Sequence, residues 1–401
     1  MRRAVAALLC VAAMPVAGDE GERARALHRD AFVFDAHVHM VNRHFYGGGD
    51  IGQRQPDGQV DVPRLQEGGY DAFFFSLFVP EEYYPSRYET RQVLRLFAAA
   101  EEQLQRNAAR IELALSADDI GRINAAGKMA AVLDLEGGFD LDGDLGILRT
   151  LHRLGFRSLQ LPAHNWTNGF ADSCCAPAHW GGLNEQGRAV VREMNRLGMV
   201  INVSHGSEDA IAQAVEASAD PVVATHHGLK HFNDIPRTMS DALLRRLAAK
   251  GGVIAFHVGN SFHNRRLFEW ERLQQGRAFW DTSSVERRVA GLSIQQVDAL
   301  FARQPPDMRA IADVPDELLM SVDDWVEVVD YAIRLVGEDH VALGSDWDGG
   351  PTPPRGMRDA RDIGMITEAM LRRGYSEERI RKFLGGNLLR VFRRVARSGE
   401  P

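Results

Sequence analysis

The chain is poor in cysteine, with 3 among 401 residues, at positions 10, 174 and 175. The two that lie outside the N-terminal segment are adjacent, so they cannot staple distant segments, and a disulfide-framework fold is excluded. A vicinal disulfide and two free thiols both stay open for Cys174 and Cys175. Zinc binding by that pair alone is a poor fit, because a structural zinc site needs four ligands. Positive charge is not in excess either. Lys and Arg number 47 against 55 Asp and Glu, a formal net charge of -8. No basic patch with interleaved aromatics is present, which argues against a nucleic-acid partner. Past the N-terminus no apolar run is long enough to span a bilayer. Low-complexity tracts and short-period repeats are missing as well.

The N-terminus itself reads as an export signal. Arg2 and Arg3 precede the apolar run AVAALLCVAAM, and PVAG then offers small residues for cleavage near Ala17 or Gly18. Residues 1–18 are therefore expected to be a signal peptide, residues 19–401 one domain, and the mature protein periplasmic or secreted. Cys10 lacks the small preceding residue of a lipidated cysteine.

What is present is a recurrence. Five segments run strand-like and then stop on a metal-ligand residue type: FVFDAHVH (His37, His39), MAAVLDLEGG (Glu136), MVINVSH (His205), PVVATHHG (His226) and VALGSDWDG (Asp346). Eight near-continuous apolar runs can be counted, at 31–35, 72–79, 129–134, 157–161, 199–203, 221–225, 252–257 and 340–344. Such runs suit strands buried on both faces of a parallel sheet. Amphipathic stretches such as NEQGRAVVREMNRLG and SDALLRRLAAKG lie between them and end at glycine, as helices often do. Strand and helix alternating eight times predicts an α/β fold, a distorted (β/α)8 TIM-like barrel, whose site is built from the loops after its strands. Met40–Pro63, rich in Gly, Asp and Gln, reads as a long loop over the site; it and Gly259–Pro315 interrupt the rhythm and are expected to shape the pocket.

His37 and His39 stand two apart after a strand, so both imidazoles can face one ion. Glu136 can bridge two ions, and Gly137 and Gly138 let the backbone crowd close. His205 and His226 each close a strand, and neutral imidazole suits zinc. Strand alternation points His227 away from His226. Asp346 can move a proton to a leaving amine, whereas Asp348 is expected to be structural, capping the next turn. His164, in LPAHNW, could hydrogen-bond a substrate oxygen. Arg237 precedes a helix capped by Ser240 or Asp241 and can grip a substrate carboxylate with two hydrogen bonds.

These residues and their surroundings resemble the membrane (renal) dipeptidase family of dinuclear zinc metallopeptidases. DAHVH, LDLEGG, the LPAHNW region, GLNEQGRAVVREMNRLGMVINVSH, PVVATHHG, RTMSD, VALGSDWDG and GGNLLRVF carry the resemblance, from about residue 31 to 393. It implies two Zn2+ per chain. His37, His39 and Glu136 would hold one ion, and Glu136, His205 and His226 the other. Glu136 and a hydroxide would bridge them, the hydroxide acting as nucleophile. His164 would contact the carbonyl oxygen or tetrahedral intermediate, Arg237 the C-terminal carboxylate, and Asp346 would shuttle the proton. The implied substrates are small peptides, namely dipeptides, with a D-residue tolerated at the C-terminal position. By analogy alone the implied assembly is a homodimer. Two positions depart from the family. His39 stands where the first motif usually has Asp, which predicts weaker or altered metal preference at the first ion. Thr238 replaces the usual Asn beside Arg237. These departures keep a second expectation alive, the same centre acting on another amide, lactam or ester or tailoring a secreted peptide metabolite. A third is a metal-binding scaffold without activity.

Overall fold

A computed structural model describes residues 17–275, 282–302 and 314–396. The segment expected to direct export, apart from its last two residues, lies outside the described residues. Ten strands are present among the described residues: β1 Phe34–Val38, β2 Ala72–Phe78, β3 Ile111–Leu113, β4 Met129–Glu136, β5 Phe156–Gln160, β6 Val200–Asn202, β7 Val223–Leu229, β8 Thr238–Met239, β9 Val253–Phe256 and β10 Val341–Leu343. Eight pair in parallel in the order β1-β2-β4-β5-β6-β7-β9-β10, with β3 on β4 and β8 on the end of β7 as additions. These eight are the eight apolar runs of the sequence, with ends shifted by a few residues. The largest shift is at β7, which continues through His226 and His227 to Leu229.

The sheet closes where the last strand meets the first. Asp346 donates its N–H to His37 O at 3.0 Å, and His39 donates to Trp347 O at 3.0 Å. Asp35 staples the same seam, one oxygen accepting from Ser345 N at 2.9 Å and from His37 N at 3.1 Å. Its burial raises the carboxyl to about 6.

Among the described residues, one apolar cluster draws on seven of the eight barrel strands, through Phe34, Ala72, Val132, Val200, Val223, Val253 and Ala342 among others. A cluster fed from so many strands of a closed sheet is its interior. Leu388, Val391 and Phe392 of the helix Asn387–Val395 join it, so the GGNLLRVF segment plugs one end of the barrel. Burying a side chain like Phe392 contributes roughly 2–3 kcal/mol. Polar residues are thereby left to the other end, the C-terminal ends of the strands.

Helix starts follow local chemistry. Asn184, Ser207 and Ser240 accept hydrogen bonds from the first-turn backbone of helices Glu185–Leu197, Glu208–Ala217 and Asp241–Ala249. Gly198 ends the first of these in the left-handed conformation, φ 73°. Two expectations need correction. Met40–Pro63 is not all loop, since it contains helix Val41–Gly47. Asp348 is structural but caps no following turn. It receives Arg43 Nε and Nη2, both at 3.0 Å, and Gln59 N at 2.7 Å, clamping that long segment to the strand end after β10. The insertion after β9 contributes helices Arg265–Gln275, Val285–Val289 and Ile294–Phe301. The last is held down by Asp298, which accepts from Tyr83 Oη at 2.7 Å and from Arg95 Nη2 at 2.6 Å.

Candidate metal centre

Glu136 is the last residue of β4, and the next two positions must be glycine. Gly137 and Gly138 have φ of 71° and 78°. A Cβ on the first would sit 2.2 Å from Tyr84 Oη, and one on the second 2.5 Å from Val79 and Val93 methyls. The turn therefore folds tightly over its neighbours and holds the carboxylate in the barrel mouth, buried.

Each carboxylate oxygen meets a pair of imidazoles. Oε2 lies 3.0 Å from His37 Nε2 and 3.1 Å from His39 Nε2. Oε1 lies 3.0 Å from His205 Nε2 and 3.4 Å from His226 Nε2. Within each pair the two Nε2 atoms are 3.0 Å apart. Asp346 Oδ1 joins the first group at 3.1 Å from His39 Nε2, and His164 Nε2 the second at 3.8 Å from Oε1. Three buried groups have ligand atoms gathered closely enough for an ion: His37, His39 and Asp346; His37, Glu136 and His226; Glu136, His164 and His205. All five sequence-expected ligands thus come together.

The donor set fits a divalent metal on its chemistry. Nitrogen and carboxylate oxygen are the ligands that zinc and its neighbours take. Three of the imidazoles are also held from behind, through Nδ1. His37 has Ser76 Oγ at 3.0 Å, His205 has Asn165 Oδ1 at 3.1 Å, and His226 has Thr225 Oγ1 at 3.1 Å. Such backing leaves Nε2 free to ligate. Ser76 in turn donates to Asp134 Oδ2 at 2.9 Å.

Charge divides the histidines. Burial opposes protonation of His37, but the Glu136 and Asp134 carboxylates override it and raise the ring to about 9. His39 is likewise raised against its burial, by Asp346 and Glu136. His205 and His226 fall well below the ordinary value, first through burial. Arg237 is the next cause for His205 and His37 for His226. Burial would raise the Asp346 carboxyl, yet hydrogen bonds from His257 and His39 hold it well below the usual range.

Arg237 is 1% exposed and has no carboxylate partner among the described residues. Nη2 donates to His226 O at 3.3 Å, and Nε and Nη1 have no hydrogen-bond partner. Burial lowers its guanidinium to about 10, which leaves it charged at neutral pH. Thr238, beside it, has its Oγ1 2.8 Å from both Asn233 O and Ile235 O, sharing one hydrogen between them, and so holds the turn on which Arg237 sits. His227 stays out of the cluster, as alternation predicts. Its Nδ1 is 3.2 Å from Gly228 O, and burial lowers the ring to about 3.

Sequence reasoning missed Glu81 and His257. Glu81 binds His164 Nδ1 and accepts from Asn165 N at 2.9 Å. His257 Nε2 is 2.8 Å from Asp346 Oδ2. The cysteines, left open by sequence, form a vicinal disulfide. Cys174 N donates to His205 O at 2.7 Å, and Ser173 Oγ donates to His164 O at 2.7 Å, so the disulfide segment ties two site strands together. Three site residues, His164, His205 and Asp346, have left-handed backbones, with φ of 57°, 62° and 62°.

A buried histidine and carboxylate cluster at the C-terminal mouth of a parallel barrel defines a metal-dependent hydrolase. The model of the membrane dipeptidase family, peptidase family M19, matches residues 21–401, and the chain belongs to that family. It is 31% identical over 350 residues to Dipeptidase tcpJ of Claviceps purpurea (strain 20.1), spanning 84% of this chain and 69% of that protein. Its fold is similar to the probable dipeptidase PvdM from Pseudomonas aeruginosa, at a TM-score of 0.78 and 22% identity over 96% of this chain and 100% of that one. It is also similar to a metallo peptidase from Rhodobacter sphaeroides liganded with a phosphinate mimic of the dipeptide L-Ala-D-Ala. There the TM-score is 0.70 at 24% identity, covering 91% of this chain and 99% of that one.

Proposed function

We propose that the protein is an exported dipeptidase that uses two divalent ions, zinc by family chemistry. His37, His39 and Glu136 would hold one ion and Glu136, His205 and His226 the other. The observation that carries this reading is the Glu136 carboxylate, each of whose oxygens meets two imidazole nitrogens within 3.4 Å. When bound, the ions supply Lewis acidity to the scissile carbonyl and activate a water molecule.

The chain's own residues do the rest. Arg237, whose Nε and Nη1 are unpaired, offers its guanidinium to the substrate's C-terminal carboxylate. A buried cation without an anion is what a carboxylate-bearing substrate completes. His164 gives its Nδ1 hydrogen to the Glu81 carboxylate, so it donates from Nε2 to the carbonyl oxygen as an imidazolium, whose charge Glu81 balances. Asp346 accepts a proton on the water side and returns it to the departing amine nitrogen. The phosphinate mimic of L-Ala-D-Ala bound by the Rhodobacter sphaeroides relative supports a D-residue at the C-terminal position. Export rests on the N-terminal sequence alone. No described helix is long and apolar enough to cross a membrane. A homodimer, by analogy with the family, is the assembly to test by light scattering.

The test is a panel of L,L- and L,D-dipeptides, lactams and esters assayed on zinc-reconstituted protein, with metal content measured in parallel. Turnover of dipeptides supports the reading. Turnover confined to lactams or esters replaces it with the alternative that His39 and Thr238 keep open. Bound metal with no turnover of any member leaves a scaffold.

A further inference from the structure

His257 follows β9 directly and is buried at 4% exposure. Its Nδ1 is 2.7 Å from Gly259 N, a group that only donates, so Nδ1 accepts and the ring proton sits on Nε2. That proton points at Asp346 Oδ2, 2.8 Å away. The other Asp346 oxygen, Oδ1, is turned into the centre, 3.1 Å from His39 Nε2 and 3.9 Å from His37 Nε2. The imidazole cannot swing away, because it stacks on Phe262 with ring centres 3.9 Å apart and planes 9° from parallel. Its backbone is locked too, since His257 O accepts from Trp325 Nε1 at 3.0 Å and lies 2.8 Å from His263 Nε2. Gly259 must be glycine for this contact, because a Cβ there would lie 2.4 Å from His257 Cε1. The same Phe262 ring carries the Arg237 guanidinium, 5.2 Å from its centre.

We infer that His257 is a positioning residue for the hydrolysis. By holding Asp346 Oδ2 it turns Oδ1 toward the reacting water and leaving amine, and through Phe262 it keeps Asp346 in register with the Arg237 clamp. The inference rests on the dipeptidase reading above. It assigns two separable functions to one stack: the hydrogen bond from Nε2 serves the proton transfer, and the Phe262 face serves the placing of the substrate carboxylate.

The experiment compares His257→Phe, His257→Gln and Gly259→Ala with wild type and with Asp346→Asn, all zinc-reconstituted and assayed on one dipeptide. Phenylalanine keeps the ring and the stack but removes the donor, so kcat falls by about 10–100-fold, the usual effect of losing a partner behind a site residue, with KM unchanged. Glutamine can place an amide N–H near the former Nε2 and recovers part of kcat. Alanine at 259 displaces the ring without touching Asp346 and lowers kcat like phenylalanine at 257. Adding His257→Phe to Asp346→Asn brings no further loss, because both changes act through one carboxylate. Wild-type kcat in His257→Phe overturns the inference, and so does equal loss in the Gln and Phe variants with full metal content. If Asp346→Asn itself keeps wild-type turnover, the underlying reading fails and this inference with it. An inactive Asp346→Asn beside a fully active His257→Phe sinks this inference alone.

Discussion

On the Oε2 side of Glu136 stand His37 and His39, backed by anions: Asp134 behind Ser76, and Asp346 at 3.1 Å from His39. On the Oε1 side stand His205 and His226, backed by neutral groups, Asn165 and Thr225, with Arg237 donating to the His226 carbonyl. Four residues of one type therefore occupy two electrostatic settings. One pair is drawn toward the charged form and the other held neutral. The difference bears on the departure at His39. Where the family usually places a carboxylate in the first motif, this chain has an imidazole, and the negative charge on that side comes instead from Asp134 and Asp346. The two halves of the cluster thus differ in their surroundings as well as in their ligand types.

The comparison can be broken at its middle. Glu136→Gln removes the anionic oxygen from both halves. Metal content should drop below one ion per chain by elemental analysis, and turnover should fall roughly 10^4-fold. Asp346→Asn alters one side without removing a histidine. It should lower kcat by about 10^2–10^4-fold, the usual weight of a positioned proton carrier, while metal stays bound. Asp134→Asn weakens the anionic backing alone. A chelator titration should show one ion released about 10–100-fold more readily and the other unchanged. His39→Asp works in the opposite direction, and the same titration should show the easily released ion held more tightly than in wild type.

The smallest effect is a control far from the centre. Glu193 is drawn down to about 2 by hydrogen bonds from Arg196 and Arg149. A depressed carboxylate stabilises the fold above its unfolded pKa, about 4.3, and loses that contribution as pH falls toward 2. Glu193→Gln should thus cost about 1 kcal/mol in thermal or urea unfolding at pH 7 and less at pH 3.5, with metal content untouched.

Much of the centre was legible because ligand chemistry sits at strand ends, and a strand end is visible as an apolar run stopping. The same rule finds His257, at the end of VIAFH, but its role is set by Asp346, 89 positions away. Glu81 left no trace, since its partner His164 lies on a different strand loop 83 residues on. The end of β7 was misjudged because histidine does not count as apolar, so the strand seemed to stop where its chemistry began. Closure of the sheet was implied by the count of strands, but not that His37, His39 and Asp346 would make it with their own backbones.

The left-handed backbones of His164, His205 and Asp346 carry a further consequence. An L-residue in that conformation gives up about 1–2 kcal/mol that glycine does not. At these three positions the folding preference and the reaction want different amino acids. The strain held at these three positions is stability the fold gives up to aim three side chains into the barrel mouth.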